Sequence, residues 1–451
     1  MRISLLGHAS LVVEAGGAVV WMDPVFRDPF HDGVVVSCPK RVVHDDAIPL
    51  PDFVFVSHAH SDHYDRAAVA RARGVPFYCA PDPALIATLR ALGAYDIRPL
   101  DDMAEISLKG LRVVATPSRS MHERGALFLA DGRSAWNLVD TAVDRDICAD
   151  VLAVTDGALD LAIVGYQPVT EYAALWQSEL QFPRARYDRL VECALATRAR
   201  TVVPGSAGMC APPHLEWVNP LLFPATRELF MGHLHDVAPE IATVRLDPGQ
   251  ALALDDRGAA RVEPSPYATR VEDDEARRRF DPIGHPPPPL VDENRDGTPQ
   301  AALDELTDEI FERLLPALTD ARHHSVRGPM RTLIDRRAVV EISIVSPKGT
   351  RTMHVRRWFP DVELVLGAHP DPDYTFGYSA SKLFRYLYRG IFEEPMCAAR
   401  RRANAPETHA PPSAPYRLST LDPARLHDRD LYMVVDDRWN WSILSILDDD
   451  D

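Results

Sequence analysis

Three histidines and one aspartate fall within six residues of this chain, in the run Ser57-His58-Ala59-His60-Ser61-Asp62-His63-Tyr64-Asp65. Neutral imidazole and carboxylate are donors suited to zinc, iron or manganese. His58 and His60 alternate with Ala59, so on an extended segment they face the same way. Asp62 and His63 lie across a turn and can address a second point nearby. Packing alone would not assemble four donors at this spacing. The run predicts a metal site.

The surrounding elements fit that role. Asp52-Phe53-Val54-Phe55-Val56-Ser57 is a continuous apolar run, as in a strand buried on both faces. Residues 66–73 read as a helix, so the donors sit on a loop leaving a strand end. Upstream, Leu11-Val12-Val13 and Ala18-Val19-Val20-Trp21-Met22 flank Gly16-Gly17, a hairpin signal. Strands at 111–115, 161–164 and 201–204 alternate with helices at 83–92 and 187–198, the first with Pro83 in its opening turn. This interleaving predicts a layered α/β body.

Beyond it the composition changes. Pro286-Pro287-Pro288-Pro289 and Glu272-Asp273-Asp274-Glu275 occur with few large apolar residues. That is linker composition. The expected organisation is a catalytic domain over 1–262, a Pro-rich linker over 263–300 and a smaller α+β domain over 301–451. In the last, Leu303, Leu306, Ile310, Phe311, Leu314 and Leu315 recur at helical spacing. Strands follow at 339–345, 352–358 and 362–366, and then a second helical stripe through Leu383, Phe384, Leu387 and Ile391.

The chain has 451 residues, 46% hydrophobic and 25% charged, which is globular composition. Its 49 basic and 66 acidic residues leave a net charge of −17. That argues against a general nucleic-acid or anionic-membrane binder, which needs a cationic face. The six cysteines are scattered, with no C-x-x-C pair and no disulfide framework. Neither a signal-peptide pattern nor an apolar run of about 18 residues is visible. The expectation is a cytoplasmic protein acting on a small molecule; a homo-oligomer stays open.

His58-x-His60-x-Asp62-His63 resembles the metal-binding signature of the metallo-β-lactamase superfamily. Gly7-His8-Ala9-Ser10 and Met22-Asp23-Pro24-Val25-Phe26 are similar to that superfamily's N-terminal strands. The resemblance spans residues 1–255. It implies an αββα sandwich with a metal site at one edge of its two sheets. It also implies that His58, His60 and a third histidine hold one metal, that Asp62 and His63 hold a second, and that a later aspartate bridges both. His122 is the only histidine between His63 and His214, and so the candidate third histidine. Asp140 ends the strand-like Ser134-Ala135-Trp136-Asn137-Leu138-Val139-Asp140 and is the candidate bridge, with Asp144 as competitor.

The superfamily usually supplies a final histidine after a late strand. Here that strand leads into Gly205-Ser206-Ala207-Gly208 instead. His214, Glu216, His233 and His235 follow; His214 is a further candidate ligand, unless a solvent position stays open. His8 and Asp23 are expected to support the ligands from behind, although a hairpin-packing role for His8 stands equally. Tyr166, Gln167, Tyr172 and Trp176 are candidates to line a substrate cleft.

Asn137-Leu138-Val139-Asp140 and the 202–208 segment resemble a sub-branch that holds the CMP-sialic acid and amino-sugar hydroxylases. Those usually carry a Rieske iron–sulfur module. No Cys-x-His plus Cys-x-x-His pair exists here, so oxygenase chemistry would need an external electron donor. Asp371-Pro372-Asp373-Tyr374-Thr375-Phe376 with Ser381-Lys382-Leu383-Phe384-Arg385-Tyr386-Leu387 resembles the sterol carrier protein-like fold. That likeness implies substrate recruitment, subunit contact or a structural cap.

Two functions are therefore expected. The first is hydrolysis of a small-molecule ester, amide or phosphodiester by hydroxide on two divalent metals, zinc by preference, with Asp62 orienting the hydroxide. The alternative is a non-haem di-iron oxygenase that hydroxylates a small polar substrate.

Overall fold

The computed structural model describes residues 1–119, 122–138, 140–141, 143–168, 182–272, 275–286, 288–316, 337–357, 361–389 and 399–403. The expected hairpin pairs Ser10–Ala15 with Ala18–Met22. Its turn needs positive φ at both central positions, +57° at Gly16 and +77° at Gly17. A side chain at Gly16 would also collide with the Gly110 backbone. Two glycines meet both demands without steric cost.

The hairpin belongs to an eight-stranded sheet. In spatial order it runs Ala260–Pro264, Gln250–Leu254, Arg2–Gly7, Ser10–Ala15, Ala18–Met22, Phe53–Val56, Phe77–Cys79 and Ile97–Pro99. Phe53–Val56 is buried throughout and lies parallel to both neighbours, as its unbroken apolar run requires. A seven-stranded sheet runs Ala242–Thr243, Ala199–Gly205, Leu159–Gly165, Arg133–Asn137, Gly125–Ala130, Leu111–Thr116 and Glu105–Leu108.

The two sheets face each other across one core. Val13, Val20 and Phe55 of the first meet Val113, Phe128 and Ile163 of the second. The outer face of the first sheet packs on helices Arg66–Arg71 and Pro83–Leu92 through Val54, Val69, Leu85 and Leu89. The outer face of the second packs on Arg145–Val154, Arg184–Ala196 and Arg227–Val237 through Trp136, Val151, Tyr187 and Phe230. The result is a four-layer αββα sandwich. The helix expected at 187–198 starts three residues earlier, because Arg184 ion-pairs with buried Asp188 one turn on.

The expected linker is more structured than its composition suggests. Ala268–Glu272 pairs with Lys40–Val43. Glu275 and Arg278 then enter the sandwich. The buried Arg278 guanidinium donates to the Ala207 carbonyl and lies 3.0 Å from Glu275, which also pairs with Arg227. Farther on, buried Asp292 accepts hydrogen bonds from Ser381 N and Oγ. Hydropathy misses these anchors because they are charged.

The C-terminal unit is a five-stranded sheet. It runs Glu363–Leu366, Gly349–Arg357, Val340–Ser346, Tyr374–Ser379 and Ala399–Ala403. Helices Gln300–Glu309 and Ala380–Arg389 pack on it through Leu303 and Leu383. Tyr374–Ser379 is also a strand, parallel to Val340–Ser346. No described helix is long and apolar enough to cross a membrane.

Candidate metal centre

The donor run leaves strand Phe53–Val56 and is clamped at its far end by Asp65. One Asp65 oxygen accepts from Ala68 N at 2.6 Å and caps helix Arg66–Arg71. The other accepts from Phe26 N at 2.5 Å and Arg27 N at 2.8 Å. The donor loop and the 23–27 loop are thereby fixed to each other.

Asp23 stands behind the donors. Its carboxylate accepts from Ser57 N at 2.7 Å and Ser57 Oγ at 2.8 Å, and lies 3.0 Å from His63 Nδ1. Such a partner fixes the ring so that Nε2 faces the opposite side. Ser57 Oγ also sits 2.9 Å from His58 Nδ1. His58 Nε2 lies 2.9 Å from His60 Nδ1.

Two groups of donor atoms result, each with its atoms within 4.8 Å of one another: His8, Asp62 and His63, and His58, His63 and Asp140. His63 Nε2 lies 2.9 Å from Asp140 Oδ2 and 4.0 Å from Asp62 Oδ1. His8 Nε2 lies 3.1 Å from Asp62 Oδ2. His63 Nε2, Asp62 Oδ1 and both His8 ring nitrogens are buried, yet none makes a hydrogen bond of good geometry. Unpaired buried polar atoms are costly. A cation among them would satisfy all of them together, so the donor set fits a metal.

The electrostatics describe a carboxylate-rich pocket. Burial disfavours the charged form of His63, yet Asp23, Asp62 and Asp140 outweigh it and hold the His63 pKa well above its usual value, so the pocket draws a positive charge, proton or metal. Burial pushes the His58 pKa well below its usual value, and the neighbouring His63 and His60 push it further. A neutral imidazole is the ligating form. Burial opposes ionisation of Asp62, but His63 and His8 outweigh it and hold the carboxyl well below the usual range. Burial likewise opposes ionisation of Asp140, and its contact with His63 outweighs that.

Several expected residues lie elsewhere. Asp144 caps helix Arg145–Val154, accepting from Asp146 N and Ile147 N, so Asp140 alone of the two faces the donors. His60 touches His58 but joins neither group. The loop of His122 is drawn to the site by Arg124 N, which donates to Ser57 O at 3.0 Å. His122 itself is exposed and joins neither group. His214 is exposed on the 3-10 turn Pro213–Val218 and joins neither group. His233 is buried with its Nδ1 2.7 Å from Tyr187 Oη. Gln167 clamps the Ala225 backbone through both amide atoms. Tyr166 Oη accepts from Arg278, and Tyr166 lines a cavity that His8 and Ser206 also border. Tyr172 and Trp176 lie outside the described residues.

His31 is the residue that sequence reasoning missed. Its Nδ1 lies 3.0 Å from Ser61 Oγ and 3.5 Å from Asp62 Oδ1. It stands alone in sequence and reaches the site only because Phe30 pairs with Val35 and turns the 31–34 segment back. No local pattern signals that contact.

Residues 20–204 match the model of the beta-lactamase superfamily domain. Several relatives carry the name UPF0173 metal-dependent hydrolase, two of them as follows. The one from Pyrobaculum arsenaticum is 26% identical over 153 residues, covering 33% of this chain and 64% of the relative. The one from Nitratidesulfovibrio vulgaris is 24% identical over 271 residues, covering 56% of this chain and 95% of the relative. A Mycobacterium tuberculosis protein that carries the name Rieske 2Fe-2S iron-sulfur protein is 25% identical over 242 residues, 49% of this chain and 46% of that protein.

Proposed function

We propose that this chain is a metal-dependent hydrolase of a small ester, amide or phosphodiester, built on a dinuclear His/Asp centre. The observation that carries the proposal is the set of buried, unsatisfied donor atoms on His8, Asp62 and His63. The names of the UPF0173 relatives support the same reaction class.

His58 and Asp140 would hold one ion, with His60 and His122 as neighbouring donors; Asp62 and His63 would hold the other. A divalent ion bound there supplies Lewis acidity and lowers the pKa of water toward about 7. The protein's own part is positional. Asp23 keeps a proton on His63 Nδ1, which leaves Nε2 as the donor atom. Asp62 offers Oδ1 as an acceptor that can orient a water proton. Asp65 holds the donor loop against the 23–27 loop, so these atoms keep their places through a reaction cycle.

Metal analysis of the protein purified without added metal, with a panel of nitrophenyl esters and phosphodiesters, tests this. Two zinc equivalents and turnover of a panel member are expected. Protein without bound metal would refute the centre. A second reading rests on the relative named as a Rieske protein: a di-iron oxygenase fed by an external electron donor. Two iron equivalents with an oxygen-sensitive absorption band would favour it instead.

A further inference from the structure

Three donors per metal is the usual complement of a catalytic site that keeps one position open. Asp62 and His63 supply two on their side. We propose that His8 Nε2 is the third, a direct ligand and not a supporting residue. This inference rests on the metal-centre reading above.

The geometry distinguishes the two roles. A histidine that serves packing still satisfies a ring nitrogen, as His233 does with Tyr187. His8 is 5% exposed, and neither of its ring nitrogens has a hydrogen bond. Its Nε2 is 3.1 Å from Asp62 Oδ2 but outside hydrogen-bonding geometry. The contact is an ion-pair distance without aligned hydrogen-bond geometry, and both atoms belong to one group of donors that a single cation could join. No lysine or arginine is ion-paired with Asp62 among the described residues; the groups beside it are His8, His31 and His63. A buried carboxylate in such company calls for a cation.

The backbone is shaped to deliver the ring. His8 has φ +49°, a left-handed conformation that strains a non-glycine residue. It persists because two contacts enforce it. Ser10 Oγ accepts from Val25 N at 3.1 Å, which ties the turn to the Asp23 loop. On the other side, the late loop lies against the His8 backbone: a Cβ at Gly208 would stand 2.7 Å from His8 N and 2.8 Å from its Cα. The late loop thus has no side chain where it meets the His8 backbone. The sequence shows a missing donor at 205–208 and an unassigned histidine at position 8. The fold puts the two side by side.

The test uses the full chain, stripped of metal and titrated with cobalt(II), whose d–d absorption reports the ligand set. Wild type, His8→Ala and His8→Gln are compared, with exposed His235→Ala as control. His8→Gln keeps a polar tip and guards against a folding defect, which far-UV circular dichroism of the stripped proteins would reveal. Loss of a supporting residue typically weakens a metal site about 10–100-fold. Loss of a ligand should exceed that range for one of two cobalt equivalents and alter the d–d spectrum. His235→Ala should match wild type. If the His8 variants bind both equivalents within that range and with an unchanged spectrum, the assignment of His8 is overturned and the metal centre stands. If wild type itself binds no cobalt, both fall.

Discussion

A single carboxylate, Asp23, decides which nitrogen His63 offers. It is fully buried, has φ +46°, and is held by both Ser57 donors. Asp23→Asn keeps one acceptor oxygen but loses the charge that holds the proton on His63 Nδ1. Metal affinity should fall about 10–100-fold, read by cobalt titration, with both equivalents retained at saturation. Unchanged affinity would show that the ring is fixed by packing alone. At this scale the sequence speaks where contacts are local. His58, Asp62 and His63 are legible because one loop carries them. The choice between Asp140 and Asp144 is not, since it depends on which carboxylate the helix at Arg145–Val154 takes as its cap. His31 reaches Asp62 across a long sequence distance that no spacing rule can find, and His8 is marked only by the resemblance of its Gly-His-Ala-Ser turn.

The loop after Phe53–Val56 must be rigid for these atoms to stay in register, and Asp65 is the residue that makes it so. An ordinary helix cap contributes about 1 kcal/mol. Asp65 caps Arg66–Arg71 and also binds Phe26 N and Arg27 N. Asp65→Ala should therefore cost more than a simple cap, about 2–3 kcal/mol by urea unfolding, since it strands three donors. Asp82→Ala removes a single bond, from Ala84 N to the cap of Pro83–Leu92, and should cost only about 1 kcal/mol. Equal losses in the two variants would refute the double role. Element types in the first 260 residues are readable because apolar runs and glycine turns mark them. Tyr374, Phe376 and Tyr378 alternate with small or polar residues, as a strand requires. What no local pattern gives is the partner of that strand, Val340–Ser346, which it meets in parallel across a long stretch of chain.

On the scale of the whole molecule, two hydrophobic bodies are built from separate stretches of chain. The sandwich core draws on residues 3–254, and the C-terminal core on residues 303–380. The segment between them is anchored to both, through Arg278 at the sandwich and Asp292 at helix Ala380–Arg389. Metal binding couples to folding only for the body that holds the donors. Free metal at about 100 times its Kd adds about 2.7 kcal/mol to that body, and for a domain above about 150 residues each kcal/mol moves Tm by about 2–4 °C. Calorimetry of the full chain should therefore resolve two transitions. Zinc should raise the sandwich transition by about 5–10 °C and chelator should reverse the shift, while the C-terminal transition stays in place. A single transition that moves as a whole would show that the Arg278 and Asp292 anchors join the two bodies into one cooperative unit.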